Sequence, residues 1–220
     1  MRLSQTLAIL AASAVGTVQA EKALEDYKVW IPQWDFEVTP GGDHVVLNGT
    51  VEQVVEQLQE SNPKLMASFN LSGKKGHEIT ALDENVPALP LSLFRTQCQL
   101  FRPGAVVSWA AGIRYLENVP GKPANSPGPG ECGRVSCSYN TQIWWCNEDT
   151  TTKTLASFRH IADGARAAYM DCTDNQFYIN YASGKAIHKT DNWNVVTGSE
   201  LGYCVQSRPE CVVVRGVTMI

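Results

Sequence analysis

The chemistry open to this chain rests on seven cysteines, four histidines and its carboxylates. The cysteines are Cys98, Cys132, Cys137, Cys146, Cys172, Cys204 and Cys211, and none precedes residue 98. No C-x-x-C pair occurs, and His44, His77, His160 and His188 are scattered without ligand spacing, so neither a zinc site nor any cofactor is expected. The G-x-S-x-G elbow, the H-E-x-x-H helix and the phosphate-binding glycine loop are missing. A dyad of histidine and carboxylate could still be assembled in three dimensions from His160, His188, Glu148 and Asp149. Secreted ribonucleases and glycosidases need only such groups. The plainer reading puts Glu148 and Asp149 just before a helix, where acidic residues favour the dipole. It leaves His160 beside Arg159 on that helix's polar face. No residue is therefore assigned a catalytic role, and an enzyme is the lesser expectation.

In an oxidising compartment the cysteine spacing reads as a disulfide framework for the C-terminal part. Three bridges leave one thiol over, and roughly a hundred arrangements remain open. The odd cysteine is a buried inert thiol, a link to a second chain in a disulfide-linked dimer, or a reactive nucleophile. The last is the weakest reading, because no neighbouring His or Lys lowers its pKa. Trp144-Trp145 offers a different function, an exposed aromatic platform for a sugar or a partner protein. Adjacent strand residues point to opposite faces, so one can be core while the other binds.

Several elements must position these groups. Trp34, Phe36 and Val38 alternate with Asp35 and Glu37, predicting a strand with one buried face that returns at residues 44–47 after a Pro40-Gly-Gly-Asp turn. Thr50 with Gln53 three residues on is a capping box, and Val51, Val54, Val55 and Leu58 give the following helix an apolar face that ends at Ser61-Asn-Pro. Leu89, Pro90, Leu91, Leu93 and Phe94 are expected to pack. Residues 106–116, with Val106, Val107, Trp109 and Ile113-Arg-Tyr-Leu, read as a strand. Residues 118–131 hold four prolines and three glycines and read as a surface loop. Residues 134–146 are β-rich, with Val135, Cys137 and Tyr139 alternating against Arg134, Ser136 and Ser138. A helix capped near Thr154 or Ser157 follows, carrying Phe158, Ile161, Ala162, Ala165, Ala168, Tyr169 and Cys172 on one side, with Gly164 marking close packing. Beyond Cys172, the alternation of Phe177, Ile179 and Tyr181 predicts a strand, Ser183-Gly-Lys a turn, and residues 193–196 and 211–214 further strands.

The chain opens with Arg2, an apolar stretch from Leu7 to Val15 and Val18-Gln-Ala20, the order of parts in a cleaved secretory signal over residues 1–20. No other stretch approaches membrane-spanning length, and the apolar C-terminus is broken by Arg215. Asn48-Gly-Thr and Asn70-Leu-Ser are acceptor sequons for N-glycans. Lys74-Lys75 could be a processing site or simply a solvated pair. Removing residues 1–20 takes one of 18 basic residues and none of 22 acidic ones, so the mature chain has a net charge of 17 − 22 = −5. Residues 21–97 carry 12 acidic and 6 basic residues, against 10 and 11 in residues 98–220. No block of Lys and Arg occurs, so nucleic acid is not an expected partner.

The block Pro127-Gly-Pro-Gly-Glu-Cys-Gly-Arg-Val-Ser-Cys-Ser-Tyr-Asn-Thr-Gln-Ile-Trp-Trp-Cys-Asn-Glu, preceded by Gly112-Ile-Arg-Tyr-Leu, resembles small secreted cysteine-rich proteins of filamentous fungi. Those proteins share the pattern C-x-R-V-S-C-S-[YW]-N, an apolar run, C-N-[DE], a helix and a further cysteine. Here Cys132, Cys137, Cys146 and Cys172 fill it, and the likeness covers roughly residues 98–172. The resemblance implies a fungal secreted protein acting on a host or competitor, with a role in virulence, and it carries no catalytic residue.

Together these readings predict an α+β protein: a small disulfide-stabilised antiparallel sheet with one main helix in the C-terminal half, plus an α+β N-terminal segment. The expected organisation is a signal over 1–20, an acidic segment over 21–97 and a cysteine-rich domain over 98–220. Whether the acidic segment is a separate domain, a pro-segment or part of one fold stays open. The expected function is a secreted effector-like protein that binds a host or extracellular protein or glycan. A small secreted hydrolase and an antimicrobial or killer-type toxin are the alternatives.

Overall fold

A computed structural model describes residues 27–37, 42–68, 86–173, 180–199, 203–207 and 210–214. The expected signal, the sequon at Asn70, His77, the Lys74-Lys75 pair, Val38, Phe177, Ile179 and the C-terminal tail from residue 215 lie outside the described residues.

The elements run β1 (Lys28–Trp30), β2 (Gln33–Glu37), β3 (His44–Asn48), α1 (Val51–Ser61), α2 (Pro63–Ser68), β4 (Phe94–Cys98), β5 (Gly104–Ala105), α3 (Val106–Asn118), β6 (Ala124–Asn125), β7 (Glu131–Ser138), β8 (Thr141–Asn147), β9 (Lys153–Thr154), α4 (Arg159–Thr173), β10 (Tyr181–Ala182), β11 (Gly184–His188), β12 (Trp193–Gly198), β13 (Tyr203–Ser207) and β14 (Glu210–Val214). The architecture is α+β, as the pattern of elements predicts. Its centre is a six-stranded sheet in the order β1-β7-β8-β12-β11-β4. All neighbours are antiparallel except β1 and β7, which run parallel, so the sheet is mixed rather than purely antiparallel.

The predicted β2–β3 hairpin is present, with Trp34 and Phe36 buried. So is the predicted α1, where the Gln53 side chain accepts from the Thr50 N–H at 2.8 Å and Val51, Val54 and Leu58 are buried. The α4 cap is Ser157, whose Oγ accepts the Arg159 N–H at 3.1 Å. Three expectations need correction. Residues 106–118 form helix α3, not a strand: Ser108, Trp109, Gly112, Ile113 and Leu116 are buried, a 3.6-residue period that the β-branched composition disguises. Residues 134–146 are a hairpin with its tip at Tyr139-Asn140, not one run. Gly184 and Lys185 belong to β11 rather than to a turn.

One face of the sheet is covered by helices. There α3 and α4 pack on each other, α4 lies over β4, β11 and β12, and α1 reaches β7 and α3. The main core joins Trp34, Phe36, Val54 and Leu58 to Trp109, Leu116, Trp145, Phe158, Ile161, Ala165 and Val195. β1 and β4 therefore belong to the same sheet as the cysteine-rich strands, and Trp34, Phe36, Val54, Leu58 and Phe94 share their core, while β2 and β3 form a separate two-stranded sheet; the boundary between residues 97 and 98 falls inside β4. The opposite face holds a smaller cluster of Phe101, Cys132, Trp144, Cys146 and Val196, flanked by Tyr27 and Val29. Among the described residues no helix is long and apolar enough to cross a membrane.

Candidate functional site

Three disulfides form, pairing Cys98 with Cys172, Cys132 with Cys146 and Cys137 with Cys204. They leave Cys211, on β14, as the remaining cysteine; its side chain lies outside the described residues. Cys98–Cys172 ties the edge strand β4 to the end of α4, and Cys132–Cys146 joins directly opposed residues of β7 and β8. Cys137–Cys204 fastens β13 beside the β7–β8 tip, where the Asn140 side chain accepts the Cys204 N–H at 3.2 Å.

Most of the titratable side chains considered for catalysis meet where α4 begins, beside β9 and the turn between β11 and β12. His160 stands in the first turn of α4, His188 ends β11, and Lys153 opens β9. Asp191, in the turn, ties Lys153 and His188 together. Its Oδ1 accepts from Lys153 Nζ at 2.5 Å, its Oδ2 accepts from the Trp193 indole N–H at 3.0 Å, and its own backbone N–H donates to His188 Nδ1 at 3.0 Å. Asp149 joins through Lys153, 3.5 Å away. Glu148 does not join: its carboxylate accepts from the Asn194 amide at 2.7 Å. The His188 ring stacks on Trp193 (centroids 5.1 Å apart, 24° between planes) and meets Phe94 edge-on at 5.3 Å.

The electrostatics follow from this packing. Burial pulls the His188 pKa below its ordinary 6.5, the charges of His160 and Lys153 pull the same way, and Asp191 opposes them. Burial also works against the Lys153 ammonium, but the hydrogen bonds and charges of Asp191 and Asp149 outweigh it and its pKa is raised. Burial raises the pKa of Asp163, one turn along α4, against the Leu89 N–H and the charges of Arg159 and His160.

The histidine–carboxylate dyad that the sequence left open as the lesser reading is not what this arrangement makes. A dyad needs a carboxylate that accepts the imidazole N–H. Here the Asp191 carboxylate is taken by Lys153 and Trp193, while the imidazole itself accepts a backbone N–H. The geometry is that of a clasp closing the β11–β12 turn. Lys153 and Asp191 were missed from sequence; only the Asp191-Asn192 pair gave a signal, that of a turn. Among the described residues no group of His, Cys, Asp and Glu could hold a metal ion.

The Trp144-Trp145 platform is also corrected. The two indoles do point to opposite faces, but both faces are covered, and their exposures are 2% and 1%. Trp145 lies in the helix-side core, whereas Trp144 donates to Gln142 Oε1 at 3.0 Å under the Arg134 guanidinium.

Exposed aromatic surface lies elsewhere. Tyr139, Val107 and Tyr181 are 74%, 77% and 67% exposed and share one end of the molecule. Thr141, beside the hairpin tip, donates to the Ala105 carbonyl at 3.3 Å; Ala105 is the strand partner of Tyr181; and the Val106 N–H donates to the Asn180 carbonyl at 3.0 Å. Tyr139 and Asn140 have φ of 46° and 60°, the left-handed pair of a two-residue hairpin loop. Asn is at home there, whereas a bulky Tyr is an outlier. The sequence signal was an aromatic residue at a turn that lacks glycine. Asn48, in the first sequon, is exposed at the end of β3.

With this geometry described, comparison of the chain with family models, curated proteins and solved structures finds no match.

Proposed function

We propose that this protein is secreted and effector-like, and that it acts by binding an extracellular or host target through the end that carries Tyr139. Kinship with the small cysteine-rich secreted proteins of filamentous fungi and a glycan on Asn48 belong to the same reading. Three disulfides in a chain of this size support an oxidising destination. The observation that carries the binding role is Tyr139 itself. A bulky side chain held in the left-handed region costs about 1–2 kcal/mol, and this one packs into no core. Strain kept at an exposed aromatic residue favours contact with a partner over stability.

The test is the secreted mature chain beside its Tyr139→Gly variant. Intact mass should show a start at Glu21, three bridges and a glycan that enzymatic deglycosylation removes. Glycine suits the turn, so the variant should be as stable as the wild type or up to about 1 kcal/mol more so. Crosslinking in host extracellular fluid should capture a target with the wild type and lose it with the variant. Undiminished capture by Tyr139→Gly would remove the binding role of this end. Turnover abolished by replacing one His or carboxylate would replace binding with catalysis.

A further inference from the structure

We propose that the turn joining β11 to β12 is an acid-released clasp, in which protonation of His188 at Nδ1 breaks its bond to Asp191 and lets the turn lift from Trp193 and Phe94. A backbone N–H can only donate, so the Asp191 N–H fixes Nδ1 as the lone-pair nitrogen and places the proton of the neutral ring on Nε2. A proton arriving at Nδ1 sets two donors facing each other at 3.0 Å, and the bond is lost. The surroundings offer the new imidazolium little. From β9 it meets the Lys153 ammonium, itself held by Asp191 and Asp149. From α4 it meets His160, next to Arg159; Asp163, further along, is committed to the Leu89 N–H and to Arg166. β4 contributes only the edge of Phe94. On its own turn the neighbouring Lys189 donates to the Ser92 carbonyl, and the Asp191 carboxylate is already divided between Lys153 and Trp193. The same Asp191 holds the Trp193 indole N–H, so releasing the turn frees a tryptophan that is 1% exposed in the closed form.

The direction with pH follows from the low affinity of the closed form for a proton. With the His188 pKa below 6.5, the open form takes the proton more readily, so the clasp is at full strength above about 6.5 and weakens as pH falls from there through the pKa of the closed form.

The test follows the Trp193 indole N–H by nuclear magnetic resonance in the full chain, assigned with Trp193→Phe, together with acrylamide quenching of tryptophan fluorescence, from about pH 7.5 to about pH 4.5. The wild type should show the Trp193 resonance shifting and quenching rising in one transition that tracks the titration of the His188 ring. His188→Asn supplies an amide oxygen that accepts the Asp191 N–H but takes no proton, so the transition should vanish. The same transition in His188→Asn, or a Trp193 signal unmoved across the range, would overturn the clasp. If His188→Asn does not fold, the wild type decides alone: a Trp193 transition whose midpoint departs from that of the His188 ring titration would overturn the clasp.

Discussion

Gly164 sits in the interior of α4 facing β12 and β4, where a methyl group would lie 2.8 Å from Val195 Cγ2 and 3.3 Å from the Phe94 ring. Alanine at this position would gain about 1 kcal/mol of helix propensity. It would also force a fully buried valine to move, and overpacking of this kind costs about 1–3 kcal/mol. The clash involves a short branched side chain with no room to swing away, so packing wins. Gly164→Ala should lower stability by about 1 kcal/mol, read as a reduced urea midpoint at unchanged slope. This closeness was legible in the sequence because a glycine interrupts an otherwise regular apolar stripe. Lys153 and Asp191 were not legible. They stand 38 residues apart and meet only because β9 and the β11–β12 turn reach the same end of the sheet. Nothing in local spacing encodes that meeting.

At the level of elements, α1 shows how a surface helix is fixed to the sheet. The Glu52 carboxylate accepts from Ser136 Oγ at 2.5 Å and from the Cys137 N–H at 3.0 Å, so a residue of the first turn reaches across to β7. Hydrogen bonds to a charged group contribute about 1.5–3 kcal/mol. Glu52→Ala should therefore cost about 2 kcal/mol in chemical unfolding, whereas Gln53→Ala, which removes only one half of a cap, should cost about 1 kcal/mol. The element itself was readable from Thr50, Gln53 and four apolar positions at helical spacing. Its dock on β7 was not, because Glu52 reads as an ordinary acidic residue in a first turn. α3 failed for a different reason. Val106, Val107, Ile113 and Tyr115 are strand-favouring types, and tertiary packing overrode that preference by burying Trp109, Gly112, Ile113 and Leu116 along one side. Gly112 allows the approach, since a Cβ there would meet Ser136 Oγ at 2.5 Å. The β7–β8 turn went unseen because Tyr139-Asn140 replaces the usual Asn-Gly with a residue that a turn does not favour.

Across the whole molecule, the disulfides differ in how much chain they enclose. Cys98–Cys172 and Cys137–Cys204 close spans of 74 and 67 residues, and Cys132–Cys146 one of 14. Chain entropy alone assigns the long bridges about 4 kcal/mol each and the short one about 3 kcal/mol. The double variant Cys98→Ala with Cys172→Ala should therefore melt below Cys132→Ala with Cys146→Ala by a few degrees in parallel thermal scans. Equal melting temperatures would mean that strand packing, and not loop closure, sets the contribution. The pairing could not be read from the sequence, because strand register and the return of β13 to the β7–β8 tip decide which sulfurs meet. The same unequal spans also impose an order in time. Cys132 and Cys146 are on hand as soon as their hairpin leaves the ribosome and can close within it, needing no other part of the chain. Cys98 must wait for the end of α4, and Cys137 must wait for β13, 67 residues further on. The hairpin bond is therefore free to set the register of the central strands while Cys137, inside that hairpin, is still unpaired. An error of pairing would fall most readily on Cys137, the cysteine whose proper partner arrives last.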